Sequence, residues 1–476
     1  MRSAMMKQAI TLRRLAASVA LVALLGACAG PVANRAFEEV ASTTEQRIGK
    51  KPVWIKSEED KAQVRKTIDD LLAKSLSADD AVQVALLNNR RLQSNFSELG
   101  IGAADLTSSW RPENPGFSFA RLRRGQEIEI ERSIGIDALS LLVLPITASI
   151  ESRRFERTKL NTATEVLSLA AQTKRAWYEA VAAEQTAKYV AQVRETAETQ
   201  AELARRMRSV GNWNTLDYIR EQIFYADATA RLAKNRVMAT AARERLGRLM
   251  GLWGKDMAYK LPDRLPVLPG SPRSVENIEA KAIAERLDIQ MAKADVSALQ
   301  KSYGLTNATR FINVLEVGFQ RNSQSEVKDQ TGYEISFQVP LFDFGDAKAT
   351  KAEQYYLQAV NRLADTAVNA RSAAREAWLG YQTNFELAKH YQDEIIPLRQ
   401  KASEEMVQRY NGMLISVFEL LSDARDQIAD VTAALEAQRD FWIADTDLTF
   451  VTIAPVEAGS PAGGSAMAAA RAGGGH

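Results

Sequence analysis

The 476-residue chain holds a single cysteine, Cys28, and two histidines, His390 and His476. One thiol excludes an intramolecular disulfide and any cysteine cluster for metal. Two histidines so far apart in sequence supply neither a zinc site nor histidine-based catalysis. An excess of charge is missing too: 61 basic residues stand against 59 acidic ones, a formal net charge of +2. A dedicated nucleic-acid binder shows a basic surplus, so that class is set aside. Beyond the N-terminal region no stretch reaches 18 apolar residues, so any membrane crossing falls to strands. The chain shows no Gly-rich phosphate loop after a strand and no nucleophile near a histidine. These absences leave no cofactor, no metal site and no enzymatic reading. Glycine and proline are sparse inside the long middle segments and gather at their boundaries, as long helices require.

What is present begins with Lys7, Arg13 and Arg14, followed by an apolar run from Leu15 to Leu25. Basic residues before a short apolar run read as a secretion signal over 1–27, too short for a spanning helix of about 20 residues. The run ends in Leu25-Gly26-Ala27-Cys28, which resembles the lipobox of bacterial lipoproteins. That resemblance implies lipid on Cys28; the plainer alternative is an ordinary signal with a chance cysteine. Ala29, where an aspartate would retain such a protein, fits sorting to the outer membrane. An acyl anchor contributes about 0.8 kcal/mol per buried methylene.

The rest of the chain reads as two copies of one unit. Trp177 and Trp378, Gly211 and Gly412, and Arg208 and Arg409 are each separated by the same 201 positions. Thr215 matches Ser416 at that spacing, and Leu216 matches Val417. Earlier in each half, the segment NNRRLQ at 88–93 resembles ERLDIQ at 285–290. The expected organisation is a lipid-anchored segment over 28–76, repeats over 77–270 and 271–449, and a flexible Gly/Ala/Ser-rich tail over 450–476. Each repeat starts with a helix of about 30 residues, over 78–108 and 274–303, with Ser77 and Ser274 as N-caps. Two strands follow, within about 117–140 and about 311–342. A long alanine-rich helix then runs over 147–208 and 346–409, roughly 90 Å at 1.5 Å per residue. A glycine turn and a returning helix of about 35 residues close each repeat.

The strands carry a period-two pattern. Tyr333, Ile335, Phe337, Val339 and Leu341 alternate with mostly polar neighbours, as do Leu315, Val317 and Phe319. Ile128 and Ile130 oppose Glu127, Glu129 and Glu131. Alternate residues of a strand face opposite sides, which suits either a half-exposed soluble sheet or a barrel with lipid outside and water inside. Four short strands cannot close a useful bore alone, so the barrel reading requires several copies. In the long helices the apolar positions are largely alanine (Ala163, Ala170, Ala171, Ala176, Ala180; Ala364, Ala367, Ala370, Ala374), which permits close antiparallel packing.

Over 77–448 the chain resembles the TolC-like outer-membrane efflux family, through 81–89 (AVQVALLNN), the strand-to-helix junction 339–345 (VPLFDFG) and the two glycine turns. The resemblance implies a mainly α fold with a small antiparallel β part. It implies a homotrimer sharing a twelve-stranded transmembrane β-barrel and a periplasmic α-barrel of helical hairpins. The implied partners are a periplasmic membrane-fusion adaptor, an inner-membrane pump of RND or ABC type, and outer-membrane lipid. The implied role is a passive conduit for small molecules or metal ions, or alternatively for type I protein secretion. A periplasmic coiled-coil adaptor lipoprotein is the main rival, though an adaptor carries one hairpin and this chain two.

Val210, Gly211, Asn212, Asn411, Gly412 and Met413 are the expected tip and adaptor contacts, since reversing a helix needs a residue that tolerates positive φ. Asp217 is a gate candidate. At the 201 spacing its counterpart is Phe418, with Glu419 next, so a carboxylate ring from both turns is in question. Phe418 forms an apolar constriction or packs within its hairpin. Glu127, Glu129, Glu316 and Glu334 are expected to face the lumen, or only to solvate the strands.

Overall fold

The computed structural model describes residues 29–311, 314–324, 327–338, 342 and 344–455. The expected signal segment, Cys28, the tail from Val456, and Val339, Pro340, Leu341 and Asp343 lie outside the described residues. In chain order the elements are α1 (Ala29–Ile48), α2 (Glu58–Leu72), α3 (Ala78–Asn88), α4 (Arg90–Ser109), β1 (Gly116–Arg124), β2 (Glu127–Asp137), α5 (Ala138–Ser209) and α6 (Thr215–Leu249). They continue with α7 (Ile278–Glu285), α8 (Leu287–Thr309), β3 (Leu315–Gln324), β4 (Val327–Phe337), α9 (Asp346–His390), α10 (Ile396–Asn411) and α11 (Val417–Val451). Both halves thus present two helices, two strands, a long helix and a returning helix. The chain divides into two compact units, and each takes segments from both halves.

Among the described residues one unit comprises Ala29–Thr43, Ser94–Ala163 and Leu287–Val368. Its strands form an antiparallel sheet in the order β1-β2-β3-β4. Gly125, at φ 63, opens the two-residue turn between Arg124 and Glu127, where a hairpin favours a left-handed residue. Phe337, the last residue of β4, pairs with Leu315, the first residue of β3. Asp137 turns β2 directly into α5: its Oδ1 accepts from the Leu139 and Ser140 amides at 2.9 and 3.2 Å. The long helix therefore starts well before the expected Thr147 and carries Pro145 inside it. In the second half Gly345, at φ 72, precedes α9. A Cβ there would stand 2.7 Å from the Arg310 carbonyl oxygen, so only glycine fits this junction. Phe37 packs edge-on against Phe96, ring centroids 5.0 Å apart.

The other unit comprises Thr44–Gln93, Thr164–Arg286 and Asn369–Pro455. Tyr381, Phe385 and Phe441 centre its aromatic core, with Ile278, Leu448 and Val451 against them. Trp177 is buried and its indole donates to the Leu76 carbonyl at 2.9 Å. Ala163, Ala170, Ala171, Ala176 and Ala180 of α5 are buried, whereas in α9 Ala370 and Ala374 are buried and Ala364 is exposed.

Both expected 30-residue helices are broken. At Asn89 the backbone is extended, and the Asn89 Oδ1 accepts from the Leu92 amide at 3.1 Å, starting α4 afresh. The Asn88 and Asn89 amides meanwhile donate to the carbonyls of Leu249, Met250 and Gly251 at 2.8–3.0 Å, satisfying the open end of α6. Arg286 breaks the second-half helix in the same way, with extended backbone and its Nη1 on the Val451 carbonyl at the end of α11, 3.3 Å away. Ser77 caps α3 as expected. Ser274 is not the N-cap: α7 starts at Ile278, and the preceding Asn277 holds φ 52 without a side-chain cap bond.

The expected helix 346–409 is also interrupted, by a π turn over Tyr391–Ile395. Pro397 cannot donate to the carbonyl four residues back and its ring crowds that position, so the helix widens by one residue there.

Candidate pore-forming sheet and hairpin tips

Register fixes which side chains share a face of the sheet. Phe117 opposes Ile134, Ile134 opposes Phe319, and Phe319 opposes Tyr333; one step along, Ile136, Val317 and Ile335 line up, then Leu315 with Phe337. These apolar side chains occupy one face, and Phe119 joins them. Phe117 is 71% exposed, Tyr333 84% and Phe337 67%, so nothing among the described residues covers this face. Each large apolar side chain gains roughly 1.5–3 kcal/mol on complete removal from water. A face bearing so many is built to be covered.

The opposite face is polar and acidic. Glu127, Glu129 and Glu131 project from β2, Glu316 from β3 and Glu334 from β4, by alternation and cross-strand pairing. All four expected lumen glutamates thus stand on one side of the sheet, the side away from the apolar belt. Gly116, Gly135, Gly318 and Glu334 form a single row. Three of its four positions lack side chains, so Glu334 stands beside open floor; Gln320 donates to its carboxylate. Strands β1 and β4 are the sheet's edges and each pairs on one side only.

The tips lie in the other unit. In the first, the amides of Val210, Gly211 and Asn212 donate to Arg206, Arg208 and Met207 at 3.3, 3.0 and 2.9 Å, around Gly211 at φ 81. In the second, the amides of Gly412, Met413 and Leu414 donate to Gln408, Tyr410 and Arg409, each at 2.9 Å. The two turns have the same pattern, shifted by 202 positions instead of 201. Met413, at φ 56, holds the left-handed site. Gly412 has φ −78, so the expectation that it supplies the positive φ is corrected: the second turn places a methionine where the first places glycine.

The same shift re-pairs the gate candidates. Asn214 caps α6, its Oδ1 accepting from the Asp217 amide at 2.8 Å. Ser416 caps α11, accepting from the Glu419 amide at 3.3 Å while Glu419 accepts from the Ser416 amide at 3.2 Å. Asp217 and Glu419 therefore hold equivalent third positions of their helices, and Phe418 is not the counterpart of Asp217. Glu419 completes a capping box, whereas the Asp217 carboxylate accepts from the Asn214 side-chain amide at 2.5 Å; both charges stand at positive helix ends. Phe418 lies in the first turn of α11. Val210, Leu216, Met413 and Leu414 are exposed, Met413 to 93%.

Sequence reasoning missed a buried ion network behind the tips. Glu221, only 1% exposed, meets Arg425 at 3.3 Å, and Arg425 lies over the Phe224 ring at 4.6 Å. Arg399 reaches Asp430 at 2.6 Å and Asp423 at 3.4 Å. The network ties α6 to α11 and α10 to α11. Burial raises the Glu221 pKa above its ordinary value of 4.5, the Arg425 charge opposing and the Asp217 charge adding to the rise. The available signal was a carboxylate one helical turn beyond Asp217, on the side the helix buries.

No helix of the described residues is long and apolar enough to cross a membrane, and no cluster of metal-ligating side chains occurs among them. No family model and no curated protein matches the sequence. Solved structures do match. The CmeC outer membrane channel of Campylobacter jejuni has a TM-score of 0.68 at 14% identity, covering 79% of this chain and 85% of CmeC. The open-state MtrE outer membrane channel of Neisseria gonorrhoeae gives 0.64 at 16%, covering 82% and 88%. CusC, described for transmembrane channel formation, gives 0.66 at 16%, covering 79% and 92%. Four strands in one antiparallel meander and two long helical hairpins, shared over nearly the whole of these channels, give the chain the TolC-like outer-membrane channel fold.

Proposed function

We propose that this chain is the outer-membrane subunit of an efflux pump and that three copies join β1 of one to β4 of the next, closing a twelve-stranded barrel. The observation that carries this reading is the sheet itself: an uncovered apolar face, an acidic opposite face and two unpaired edges. In lipid every backbone N–H and C=O needs a partner, and four strands leave two edges that only other copies of the sheet can satisfy. Closing with the apolar face outward puts Glu127, Glu129, Glu316 and Glu334 around an aqueous lumen, an anionic lining that favours cations. The chain is a conduit; no bond is made or broken in it.

The hairpin tips are the contact for a periplasmic adaptor that links the channel to an inner-membrane pump. Exposed Val210, Met413 and Leu414 offer apolar side chains on rigid turns, the kind of surface a helical partner can cover. Cys28 carries the lipid anchor in this reading. The test is purification from outer membranes followed by planar-bilayer recording. A detergent-stable trimer with cation-selective conductance supports the proposal, and a water-soluble monomer without conductance refutes it.

A further inference from the structure

The apolar face of the sheet does not stay apolar to its end. Beyond Phe119 and Tyr333, toward the β1–β2 and β3–β4 hairpins, the same face carries Arg121, Arg123, Arg132 and Arg321 by register. Arg132 and Arg321 are direct cross-strand partners, and Arg121 lies diagonal to Arg132. Like charges placed opposite each other on a sheet repel. Among the described residues one carboxylate pairs with these guanidiniums: Asp329 on Arg321 at 2.6 Å. The glutamates of the same strands all stand on the other face, so their charges do not neutralise this one.

We propose that these arginines bind the phosphate groups of an anionic membrane lipid at the hairpin end of the barrel. The site rests on the reading of the apolar face as lipid-facing. The order along the face is close to that of a lipid: apolar contacts for acyl chains over Phe117, Phe319, Tyr333 and Ile335, then planar, bidentate donors, with Ile130 and Ile128 opposite Arg121 and Arg123, where headgroup phosphates begin. An arginine facing lipid near the interface costs little, and phosphate between Arg132 and Arg321 turns their repulsion into two attractions. Charge complementarity selects an acidic lipid over a zwitterionic one.

The test compares the full-length wild type with an Arg121→Gln/Arg132→Gln variant, each reconstituted in phosphatidylcholine vesicles containing a fixed fraction of lipid A. After re-extraction in mild detergent, lipid A and phosphatidylcholine retained per trimer are measured by mass spectrometry, with bilayer conductance recorded in parallel. Retention of lipid A over phosphatidylcholine is expected in the wild type and should fall about fivefold per arginine removed, with conductance unchanged. Equal lipid A retention by two conducting trimers overturns the arginine site alone. Displacement of lipid A by an equal concentration of inorganic phosphate overturns it as well, since the site then recognises a soluble anion. If the wild type forms no conducting trimer, the channel reading fails with it.

Discussion

The shift at the second tip gives two glycines at similar places in sequence opposite mutational signs. Gly211 holds φ 81, so Gly211→Ala puts a Cβ into the left-handed region at about 1–2 kcal/mol. Reduced freedom of the unfolded chain offsets about 0.4–1 kcal/mol of that. The net effect is a loss of roughly 0.5–1 kcal/mol. Gly412 has φ −78 and ψ 4, and an added Cβ meets its nearest atom, the Gln408 carbonyl oxygen, at 3.5 Å. Gly412→Ala therefore keeps only the unfolded-state gain, about 0.4–1 kcal/mol of stabilisation. Met413→Gly relieves the left-handed strain, and a side chain 93% exposed forfeits almost no burial. Native-state hydrogen exchange reads these local energies directly. The amides of Asn212 and Leu414 report, since they donate to Met207 and Arg409 across the two turns. Gly211→Ala should speed exchange at Asn212 about threefold, while Gly412→Ala and Met413→Gly should slow it at Leu414 by a similar factor, at tenfold per 1.4 kcal/mol. If Gly412→Ala speeds exchange as Gly211→Ala does, Met413 is not the left-handed residue and the 202 register is wrong.

Gly251 holds φ 67, and a Cβ there would stand 2.8 Å from the Asn88 carbonyl oxygen; Gly251→Ala should destabilise the chain by about 2 kcal/mol in chemical unfolding. Glu221 has a raised pKa from burial, so the folded state binds its proton more tightly than the unfolded one. Its contribution is fully present below 4.5 and is lost as pH rises through the raised value. The stability of Glu221→Gln relative to wild type should accordingly be highest at neutral pH and decline on acidification, and a pH-independent difference would contradict the assignment. Replacing Glu316 and Glu334 together by glutamine should lower the cation-to-anion permeability ratio in bilayer recordings without altering trimer stability, because both stand on the uncovered acidic face.

The alternation along β1–β4 was legible because a strand's two-residue period maps sequence directly onto faces, and it placed Glu127, Glu129, Glu316 and Glu334 on one side. The landmarks NNRRLQ and ERLDIQ were legible as a match but not as a device. Asn89 and Arg286 sit at the same place in them, and each breaks a helix while its segment reaches the end of a returning helix. That role needs knowledge of where residues 249–251 and 451 lie, which no local pattern carries. The one-residue shift between the turns was hidden because Gly412 looks like the obvious left-handed residue. The π turn before Pro397 explains it: the extra residue moves everything after it from a spacing of 201 to 202, so Gly211 meets Met413 and Asp217 meets Glu419. The buried pair Glu221–Arg425 joins segments 204 residues apart, again beyond any helical periodicity.

The edges of the sheet offer the sharpest test. Within one chain β1 and β4 are separated by two intervening strands, roughly 14 Å at about 4.8 Å per step, too far for a disulfide. With Ser118→Cys in β1 and a cysteine scanned along Gln330 to Ser336 in β4, oxidation should yield dimers and trimers at one register and nothing larger. Monomers that never cross-link at any register, or cross-links formed within a single chain, would contradict closure of the barrel by three copies.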